Sequence, residues 1–578
     1  MKKILTAAIF VAIAMLLLMP SQVFASGDTL YVYASITVPV DQTIRGDTLA
    51  NGKLQHHWFK LPTTDTTYVF DATITSSENF AVIGIPNATT GKLPCIQPDV
   101  LSGNVIPGVL FTLSGQGTKA TFKNLYLLGI AINNTVNYGG GQAIQISADS
   151  IRLVCDNVVF EQWSQFAIGY SGNWDKFFVT NCKFRNMTTQ PNQWYVGEVL
   201  RNENYIGAFK TDSTVFKYNT MLCVSGYATA ATGGIVTYYE FSHNNVIYTF
   251  KNPFFLDRMV NAKFDNNIFY GAFAGGQNKT EYAGWDSFTA NTGPSIITMG
   301  PLDSATAAIV LGHASTGAGD PAAELLRKVE VKNNAYFWPS SLTTFWTSWN
   351  DTAHVDSIYT PAFMNATTAA MFNDASGHPG FLQSGNQNVD PGFGTSIPAV
   401  LTQSTNGLEN WFTKVRTGTG TTEVYGYQIT QVGSGIWSPT WPLPESVDMK
   451  YSNTSVKNGA TDGMPVGDPW WFNGTSGGRT GVVAQTSSLP HGFTLSEAFP
   501  NPFNPSTHIQ YTLNKAGVTS LTVYNILGQV VSKLVDNVSQ NAGTYNVTVD
   551  MSNATSGVYF YILEQGGNRL AHKMLLLK

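Results

Sequence analysis

Charged side chains that can serve acid–base chemistry are concentrated in two short stretches of the central region. Glu198, Arg201 and Lys210 lie in "EVLRNENYIGAFK". Asp257 and Arg258 lie in "FFLDRMV", beside a predicted strand. Hydrolysis of a glycosidic bond uses two carboxyl groups at a defined separation, and proton transfer in general needs a positioned acid and base. We therefore take these five residues as candidate catalytic residues. A solvated surface charge is the alternative interpretation of each.

Tryptophans in two polar loops are candidate ligand-binding residues. Trp194 lies in "TTQPNQWYVG", and Trp338, Trp346 and Trp349 lie in "WPSSLTTFWTSWND". A flat aromatic face offers apolar contact to a sugar ring, while nearby Asn, Gln and Thr side chains offer hydrogen bonds at the rim of that ring. These tryptophans can equally pack into the core of the protein, and the sequence leaves both interpretations open.

Metal-ligand patterns are weak, and the sequence predicts no metal site and no cofactor. His56-His57 and His354-x-Asp356 lack a third ligand at the spacing of a zinc site. The Arg-Gly-Asp tripeptide at 45–47 is taken as a chance occurrence, because nothing predicts a loop that would present it. The formal net charge of −5 argues against binding to nucleic acid or to an anionic membrane.

The four cysteines are too few for a disulfide framework in a chain of 578 residues. We expect them to be small buried side chains, because free cysteine is among the most buried residue types. A bridge between Cys155 and Cys182 is left open.

The N-terminus has the pattern of a secretory signal peptide. Lys2 and Lys3 precede an apolar run that ends at Pro20, and small residues lead to a predicted cleavage after Ala25. The apolar run is short for a membrane span of about 20 residues. Removal of residues 1–25 takes the formal net charge from −5 to −7.

A repeated phrase indicates the elements that must position the candidate residues. The phrase is an Asn, two variable residues and a large apolar residue, and its successive copies lie 33, 24, 38, 26, 22 and 67 residues apart. Alternating, β-branched sequence surrounds each copy and predicts strand, turn and strand, with Asn at the turn. Units of this length stack, so the Asn side chains are expected to form a column. The copies begin at Asn124, Asn157, Asn181, Asn219, Asn245, Asn267 and Asn334.

Two short helices are predicted as additions to this repeat. One follows "GDPAAELLRK", with Asp320 as N-cap and Pro321 as first helical residue. The other is expected to begin at Thr360-Pro361 and to run through "AFMNATTAAMF". Long insertions on one face are where stacked repeats often carry a binding function.

The phrases around Asn157, Asn181, Asn245 and Asn267 resemble those of the pectate-lyase-like β-helix superfamily, and "NGATDGMPVGDPWWF" resembles the phrase that closes such domains. The resemblance covers residues 28 to 472 and implies a right-handed parallel β-helix. Lyases of that superfamily use a Lys or Arg base and a neutralised carboxylate, often with Ca²⁺. Their Arg-x-Pro-x-x-Arg phrase and the paired-Asp and Gly-His-Gly phrases of polygalacturonases are absent here, so the resemblance supports the fold and not an activity.

The C-terminal region has six or seven short alternating strands separated by glycines, which predicts a small β-sandwich of immunoglobulin-like outline. The phrases "FPNPFNPST", "VYNILGQVV", "SGVYFYIL" and "HKMLLLK" resemble, in this order, the type A C-terminal sorting domain of the type IX secretion system. The resemblance implies partners in the type IX translocon and sorting machinery, and a location at the outer-membrane surface or outside the cell. Lys573 and Lys578 flank the last apolar run and are the predicted sorting signal.

The predicted fold class is all-β, a β-helix followed by a sandwich. The predicted domains are a signal peptide at 1–25, the β-helix at 26–472, a Gly/Ser/Thr-rich linker at 473–492 and the sorting domain at 493–578. The predicted function is recognition of an extracellular polysaccharide. A polysaccharide lyase or hydrolase, with Ca²⁺ if a lyase, and a structural or adhesive surface protein are the alternatives. The oligomeric state is left open.

Overall fold

The computed structural model of this protein describes most of the chain. The described residues are 24–26, 28–35, 37–64, 67–89, 91–133, 141–188, 196–203, 210–231, 234–256, 258–276, 295–350, 361–402, 407–419, 429–433, 436–439, 449–473, 494–495, 498, 503, 505–513, 515–525, 529–541, 543–552, 554–566 and 568–577. The predicted signal peptide therefore lies almost wholly outside the described residues. The chain divides into two units, Met1–Thr480 and Gly481–Lys578, and the division falls within the predicted linker.

The first unit is built on three ladders of parallel strands. In ladder 1 each strand pairs in parallel with the next one to reach that ladder. Its side chains alternate between a buried inward face and an outward face, as the two-residue period of a strand requires. Its strands are Thr29–Tyr31, Trp58–Pro62, Phe80–Ile85, Lys119–Leu128, Arg152–Glu161, Asp175–Thr180, Lys210–Lys217, Ile235–Ser242, Met259–Asp265, Lys328–Lys332 and Phe381–Ser384.

Ladder 2 follows ladder 1 in each turn of the chain. Strands Lys119–Leu128 and Arg152–Glu161 run through both ladders, with a bend in the middle. The other strands of ladder 2 are Tyr68–Phe70, Cys95–Pro98, Lys183–Met187, Thr220–Val224, Asn245–Thr249, Ile268–Tyr270, Ala335–Phe337 and Gln387–Asn388.

Ladder 3 completes the turn. Its strands are Ile74–Ser76, Val109–Leu113, Gln142–Ile146, Phe166–Tyr170, Glu198–Asn202, Thr229–Ala230 and Phe254–Phe255. A shorter parallel pair, Ser295–Ile297 with Ala362–Met364, follows later in the chain. Inward side chains from all three ladders share one apolar core. The prediction of a mostly β chain with long parallel sheets is confirmed.

The bend between ladders 1 and 2 explains the repeated Asn. Asn124, Asn157 and Asn181 have φ of 54°, 54° and 56°, a left-handed conformation that Asn tolerates better than most residues. The residue after each bend points inward. In register, these inward residues are Leu125, Val158 and Cys182 in the early turns, and Asn219, Asn244, Asn267, Asn334 and Asn386 in the later turns.

The later inward asparagines form a hydrogen-bonded column, which we call the Asn ladder. Asn219, Asn244, Asn267 and Asn334 each donate from Nδ2 to Oδ1 of the next member, over 2.9–3.1 Å. Each Nδ2 also donates to a backbone carbonyl of the ladder 1 strand that lies one turn earlier. The predicted column therefore exists, but it runs through Asn244 and not Asn245, and it ends at Asn386, which the repeat did not include.

Helices lie at one end and along one side of the first unit. Val40–Gly46 buries Val40 and Ile44 in the main core. Pro321–Glu324 begins after Asp320, whose carboxylate accepts from the N–H of Ala322, as predicted. The other predicted helix begins later than expected, at Ala366, because 362–364 form a strand and Asn365 is the N-cap. That helix spans Ala366–Asn373. The other helices of the described residues are Ser304–Leu311, Ser340–Asn350, Ser396–Thr402, Leu408–Thr417, Thr454–Lys457 and Trp470–Asn473.

The described part of the first unit also contains two antiparallel hairpins. Phe24–Ser26 pairs with Thr29–Tyr31, and Ile429–Gly433 pairs with Ile436–Pro439.

The second unit contains two antiparallel sheets around one apolar core. One sheet is formed by Thr494–Leu495, Ser506–Leu513 and Gly543–Asp550. The other has the strand order Val530–Gln540, Gly517–Asn525, Gly557–Gln565 and Asn568–Leu576. From "FPNPFNPST", Phe503 is buried and bridges in parallel to Leu576 at the end of the last strand. The immunoglobulin-like outline stays a prediction.

Candidate functional site

The outward faces of the three ladders differ in what covers them. The outward face of ladder 2 carries Leu222, Ile247 and Tyr270. They pack into a second apolar core with the helices Ser340–Asn350, Ser396–Thr402, Leu408–Thr417, Thr454–Lys457 and Trp470–Asn473. On ladder 3 the outward residue Arg201 is only 7% exposed. Ladder 1 has exposed or half-buried outward residues along most of its length, as in the alternating burial of Trp58–Pro62 and Lys328–Lys332. Ladder 1 therefore offers an open face within the described first unit.

Aromatic and basic side chains meet on this open face. Trp174 and Tyr238 are 39% and 38% exposed. The Lys210 Nζ atom lies 5.2 Å from the centroid of the Trp174 ring, and the Arg152 guanidinium lies 4.0 Å from the centroid of the Phe178 ring. Cations at these distances are attracted to the ring face. We call Arg152, Trp174, Phe178, Lys210 and Tyr238 the ladder 1 strip.

Ion pairs connect neighbouring strands on the same face. Lys123 Nζ lies 2.8 Å from an oxygen of Asp156, and Lys217 Nζ lies 2.9 Å from an oxygen of Glu240. Burial opposes ionisation of Glu240, but hydrogen bonding to Lys217 leaves the pKa of this carboxyl below its usual value. Basic side chains outnumber acidic ones on this face of the described strands, although the chain as a whole is acidic.

Two of the candidate catalytic residues meet on ladder 3. An oxygen of Glu198 lies 3.3 Å from Nη1 of Arg201. Both side chains are buried, and Arg201 and Lys251 lie over the ring of Tyr227 at 5.6 and 4.7 Å. Desolvation raises the pKa of Glu198, although Arg201 and Lys251 oppose the rise. The arrangement is a compact acid–base cluster with little contact to solvent.

The other candidate catalytic residues are held elsewhere. Lys210 begins a strand of ladder 1 and belongs to the ladder 1 strip. Arg258 is paired with Asp303 at 2.7 Å. Asp257 lies outside the described residues. The structure thus brings Glu198 and Arg201 together and does not bring Lys210 or Arg258 to them.

The candidate ligand-binding tryptophans lie mainly in the second apolar core. Trp346 is 2% exposed, and its Nε1 donates to the carbonyl of Ala274. Trp338 and Trp349 are partly buried against the same core. Trp194 lies outside the described residues. For the described three, this placement is the alternative named above, in which the tryptophans pack into the protein.

A buried ion pair that the sequence did not reveal lies within ladder 2, where strand Arg152–Glu161 pairs with strand Lys183–Met187. Arg185 donates from Nε and Nη2 to the two carboxylate oxygens of Glu161, at 3.0 and 2.8 Å. Tyr126 and Asn186 also donate to this carboxylate. All of these groups are buried and their hydrogen bonds converge on Glu161, so the cluster fits a structural role.

The closing phrase of the first unit is fixed across several turns of the ladders. Asp468 donates its N–H to Asn245 and accepts from the hydroxyl of Thr220. The Nζ atom of Lys183 lies 3.9 Å from the centroid of the Trp470 ring. His243 contacts the carboxylate of Asp462 at 2.8 Å. Asn245 therefore binds this phrase and is not a member of the Asn ladder.

The weaker motifs have structural partners. Arg45 of the Arg-Gly-Asp tripeptide lies in the last turn of Val40–Gly46 and pairs with Asp41. Asp47 binds His56. The described residues contain no cluster of three or more His, Cys, Asp or Glu side chains that could hold a metal ion. Cys155 and Cys182 are free and buried, and burial raises the pKa of Cys182 to about 12.

Comparison with known proteins identifies only the C-terminal region. No curated protein and no solved structure matches the chain. Within the described residues, no helix combines the length and apolarity needed to cross a bilayer. Residues 497–577 match the model of the secretion system C-terminal sorting domain. The chain therefore carries a sorting domain of this family, which marks it as a cargo of the type IX secretion system, destined for the cell surface or the extracellular space.

Proposed function

We propose that the exported first unit recognises an extracellular polysaccharide through the ladder 1 strip. The observation that carries the proposal is the exposure of Trp174, at the bend that leads into ladder 1, and of Tyr238, on the outward face of ladder 1. An exposed ring binds the apolar face of a sugar, and neighbouring polar side chains bind its hydroxyl groups. Lys210 and Arg152 supply such groups next to the rings.

The proposal includes the form of the first unit. We infer that the three ladders wind as a right-handed parallel β-helix over residues 28 to 472. The support for this inference is that successive strands of the chain belong to ladders 1, 2 and 3 in the same order, turn after turn, and that the strands within each ladder pair in parallel. Parallel crossovers are right-handed in about 98% of cases. Stacked turns give a flat face on which strands lie about 4.8 Å apart, which suits a linear polymer.

A glycan array probed with the mature chain, beginning at Ser26, tests the proposal. We expect binding to a subset of polysaccharides and a loss of about tenfold or more in affinity for Trp174→Ala and Tyr238→Ala, since each removes an aromatic contact. Trp58→Ala is the matched control. Trp58 has the same 39% exposure as Trp174 and lies on ladder 1. Its strand is four strands, or about 19 Å, from strand Asp175–Thr180, which follows Trp174. Wild-type binding by both strip variants would contradict the proposal.

A lyase or hydrolase is a second candidate function, and the Glu198–Arg201 pair is the observation that favours it. A carboxyl with a raised pKa beside two basic groups and a tyrosine is a typical acid–base arrangement. An assay for unsaturated or reducing-end products on any bound polysaccharide distinguishes this function from binding alone. An enzyme should release product with the wild-type chain and lose that activity in Glu198→Gln, while its affinity for the polymer persists. Ca²⁺ would be needed only in the lyase case.

A further inference from the structure

Three basic side chains lie side by side on the outward face of ladder 1. Arg152 pairs in register with Lys119 of the preceding strand and with Lys176 of the following strand. Positions paired in this way lie about 4.8 Å apart on the same face of the ladder. Lys119 and Arg152 are exposed, and Lys176 is half-buried. We call Lys119, Arg152 and Lys176 the basic row.

The basic row is only partly neutralised by acidic side chains. An oxygen of Asp212 lies 3.4 Å from the Nζ atom of Lys176, and both side chains are open to solvent, at 38% and 43% exposure. In the described part of the chain, no carboxylate lies within ion-pair distance of Lys119 or Arg152. The Arg152 guanidinium lies over the ring of Phe178, which supplies attraction but no counter-charge. Two adjacent cations of the row therefore face solvent without an anionic partner.

The neighbouring outward positions show that the same face is neutralised elsewhere. Lys123, two residues after Lys119 on the same strand, pairs in register with Asp156 and lies 2.8 Å from its carboxylate. Lys217 lies 2.9 Å from the carboxylate of Glu240 on the next strand. Opposite charges at facing positions stabilise a sheet, whereas like charges there destabilise it. The basic row therefore lowers the stability of ladder 1, and packing of the first unit does not explain it.

Neutral groups suited to a sugar continue the register of the basic row. Lys176 pairs with Ser213, Ser213 with Tyr238, and Tyr238 with Asn261. Hydroxyl and amide groups bind sugar hydroxyls, and an exposed tyrosine ring binds the apolar face of a sugar. From the start of the basic row to Asn261 this line crosses six strands, or about 24 Å, without an acidic residue at any of its positions. Cations and sugar-binding groups thus lie on one straight line across the strands.

We propose that the basic row makes this face selective for an acidic polysaccharide, whose carboxylate or sulfate groups bind Lys119, Arg152 and Lys176. The inference rests on the proposed function and adds the charge of the ligand to it. An extended polymer with repeated anionic groups can contact one cation on each strand, and charge-assisted hydrogen bonds to such groups are the strong ones. Because the formal net charge of the chain is −5, this attraction is local to the row and does not arise from the protein as a whole.

Binding of the mature full chain to pairs of polymers that differ in charge tests the proposal. The pairs are alginate with its propylene glycol ester and dextran sulfate with dextran, which separate recognition of carboxylate from recognition of sulfate. We expect the charged member of at least one pair to bind about tenfold more tightly than its neutral partner at low salt. This preference should shrink as NaCl is raised to about 1 M, because salt screens exposed charges. Single-stranded and double-stranded DNA are measured in parallel as polyanions of another class.

Variants of the basic row separate recognition from folding. For Lys119→Gln with Arg152→Gln we expect the affinity for the preferred acidic polymer to fall about tenfold or more, since two charge-assisted contacts are lost. Its thermal unfolding midpoint should equal or exceed that of the wild type, because repulsion between the two cations is relieved. Arg152→Lys keeps the charge and should retain most of the binding. Lys123→Gln with Lys217→Gln is the matched control, which loses the same charge from paired positions of the same ladder and should change the affinity about threefold or less.

The outcomes distinguish this inference from the proposed function. Equal binding of charged and neutral polymers, with a loss in Trp174→Ala, would overturn the inference and leave the proposed function standing. Binding to no polymer of either kind would overturn both. Unchanged affinity of the basic-row variant, or an equal loss in the matched control, would also overturn the inference. So would tighter binding to DNA than to either acidic polysaccharide, since the ligand would then be a nucleic acid.

Discussion

At the scale of single residues, burial decides what the charged groups of this protein do. Glu198 and Arg201 belong to a sequence that suggests a surface groove, yet both are more than nine-tenths buried. Glu161 and Arg185 were not singled out in the sequence, and they form a buried ion pair whose carboxylate also accepts hydrogen bonds from Tyr126 and Asn186. Residue type and spacing give the chemistry that a side chain can perform, but solvent contact determines whether a substrate can reach it.

Asp175 gives a pH-dependent prediction at this scale. Its carboxylate is fully buried, Oδ1 accepts from the N–H of Ile151, and desolvation raises the pKa to about 7. The folded protein therefore holds this proton more tightly than the unfolded chain. Stability is lost as the pH rises from about 4 to about 7 and stays reduced above that, by a total on the order of 4 kcal/mol.

Asp175→Asn keeps the acceptor atom and removes the charge. We expect its unfolding midpoint to exceed that of the wild type at pH 8 and to differ little at pH 4, in thermal melts followed by circular dichroism. Asp212→Asn is the control, since Asp212 is a half-exposed partner of Lys176 on the same ladder. Equal effects of Asp175→Asn at both pH values would contradict the assigned cause.

At the scale of elements, the Asn ladder shows how a polar column is stabilised inside an apolar solenoid. Asn267 donates to the carbonyl of Phe241 and to Oδ1 of Asn334, and it accepts from the N–H and the amide of Asn244. Every hydrogen-bonding position of the side chain is used, and the residue is fully buried. A buried polar group left without its partner costs about 1–3 kcal/mol.

Asn267→Ala is therefore expected to destabilise the first unit by several kcal/mol, since more than one buried group loses its partner. The measurement is the free energy of unfolding from urea titration. Asn261→Ala is the matched control, because Asn261 lies outward in the same turn and makes one long hydrogen bond, at 3.3 Å. A cost for Asn267→Ala no larger than that of the control would show that the ladder contributes little.

At the scale of the whole molecule, the three ladders and the export signal belong to separate units of one chain. The last strand of the sorting domain carries Lys573 of the predicted sorting signal. Met574 and Leu576 fill the core of the domain, and the backbone of Phe503 exchanges hydrogen bonds with Leu575 and Leu577. Recognition by strand addition at this end of the strand would require Phe503 to give up these hydrogen bonds.

Removal of residues 573–578 is expected to leave the protein in the periplasm, as measured by fractionation and protease access in intact cells. Since that deletion also removes core residues, Lys573→Gln with Lys578→Gln provides a variant that keeps the strand. We expect reduced export for it as well, because the terminal charges are lost. Surface display of the truncated chain at the normal level would refute the role of this strand; Lys578 itself lies outside the described residues.

The sequence by itself determined the features that depend on local pattern. Two-residue alternation, Asn at the bends and regular spacing predict stacked parallel strands, and the described strands confirm them. The four C-terminal phrases predict a sorting domain, which the family match confirms. These predictions succeed because backbone conformation at a bend and alternation along a strand are set by a few neighbouring residues.

Tertiary structure alone decided register and exposure. Asn244 and Asn245 are adjacent and chemically identical, but one residue of register places the first in the Asn ladder and the second on the opposite face, where it binds Asp468. Likewise, the packing of helices Ser340–Asn350, Ser396–Thr402 and Leu408–Thr417 against ladder 2 decides that Trp346 is buried. These outcomes depend on contacts between residues up to about 250 positions apart, such as Thr220 with Trp471. The pattern of neighbouring residues in the sequence does not predict such contacts.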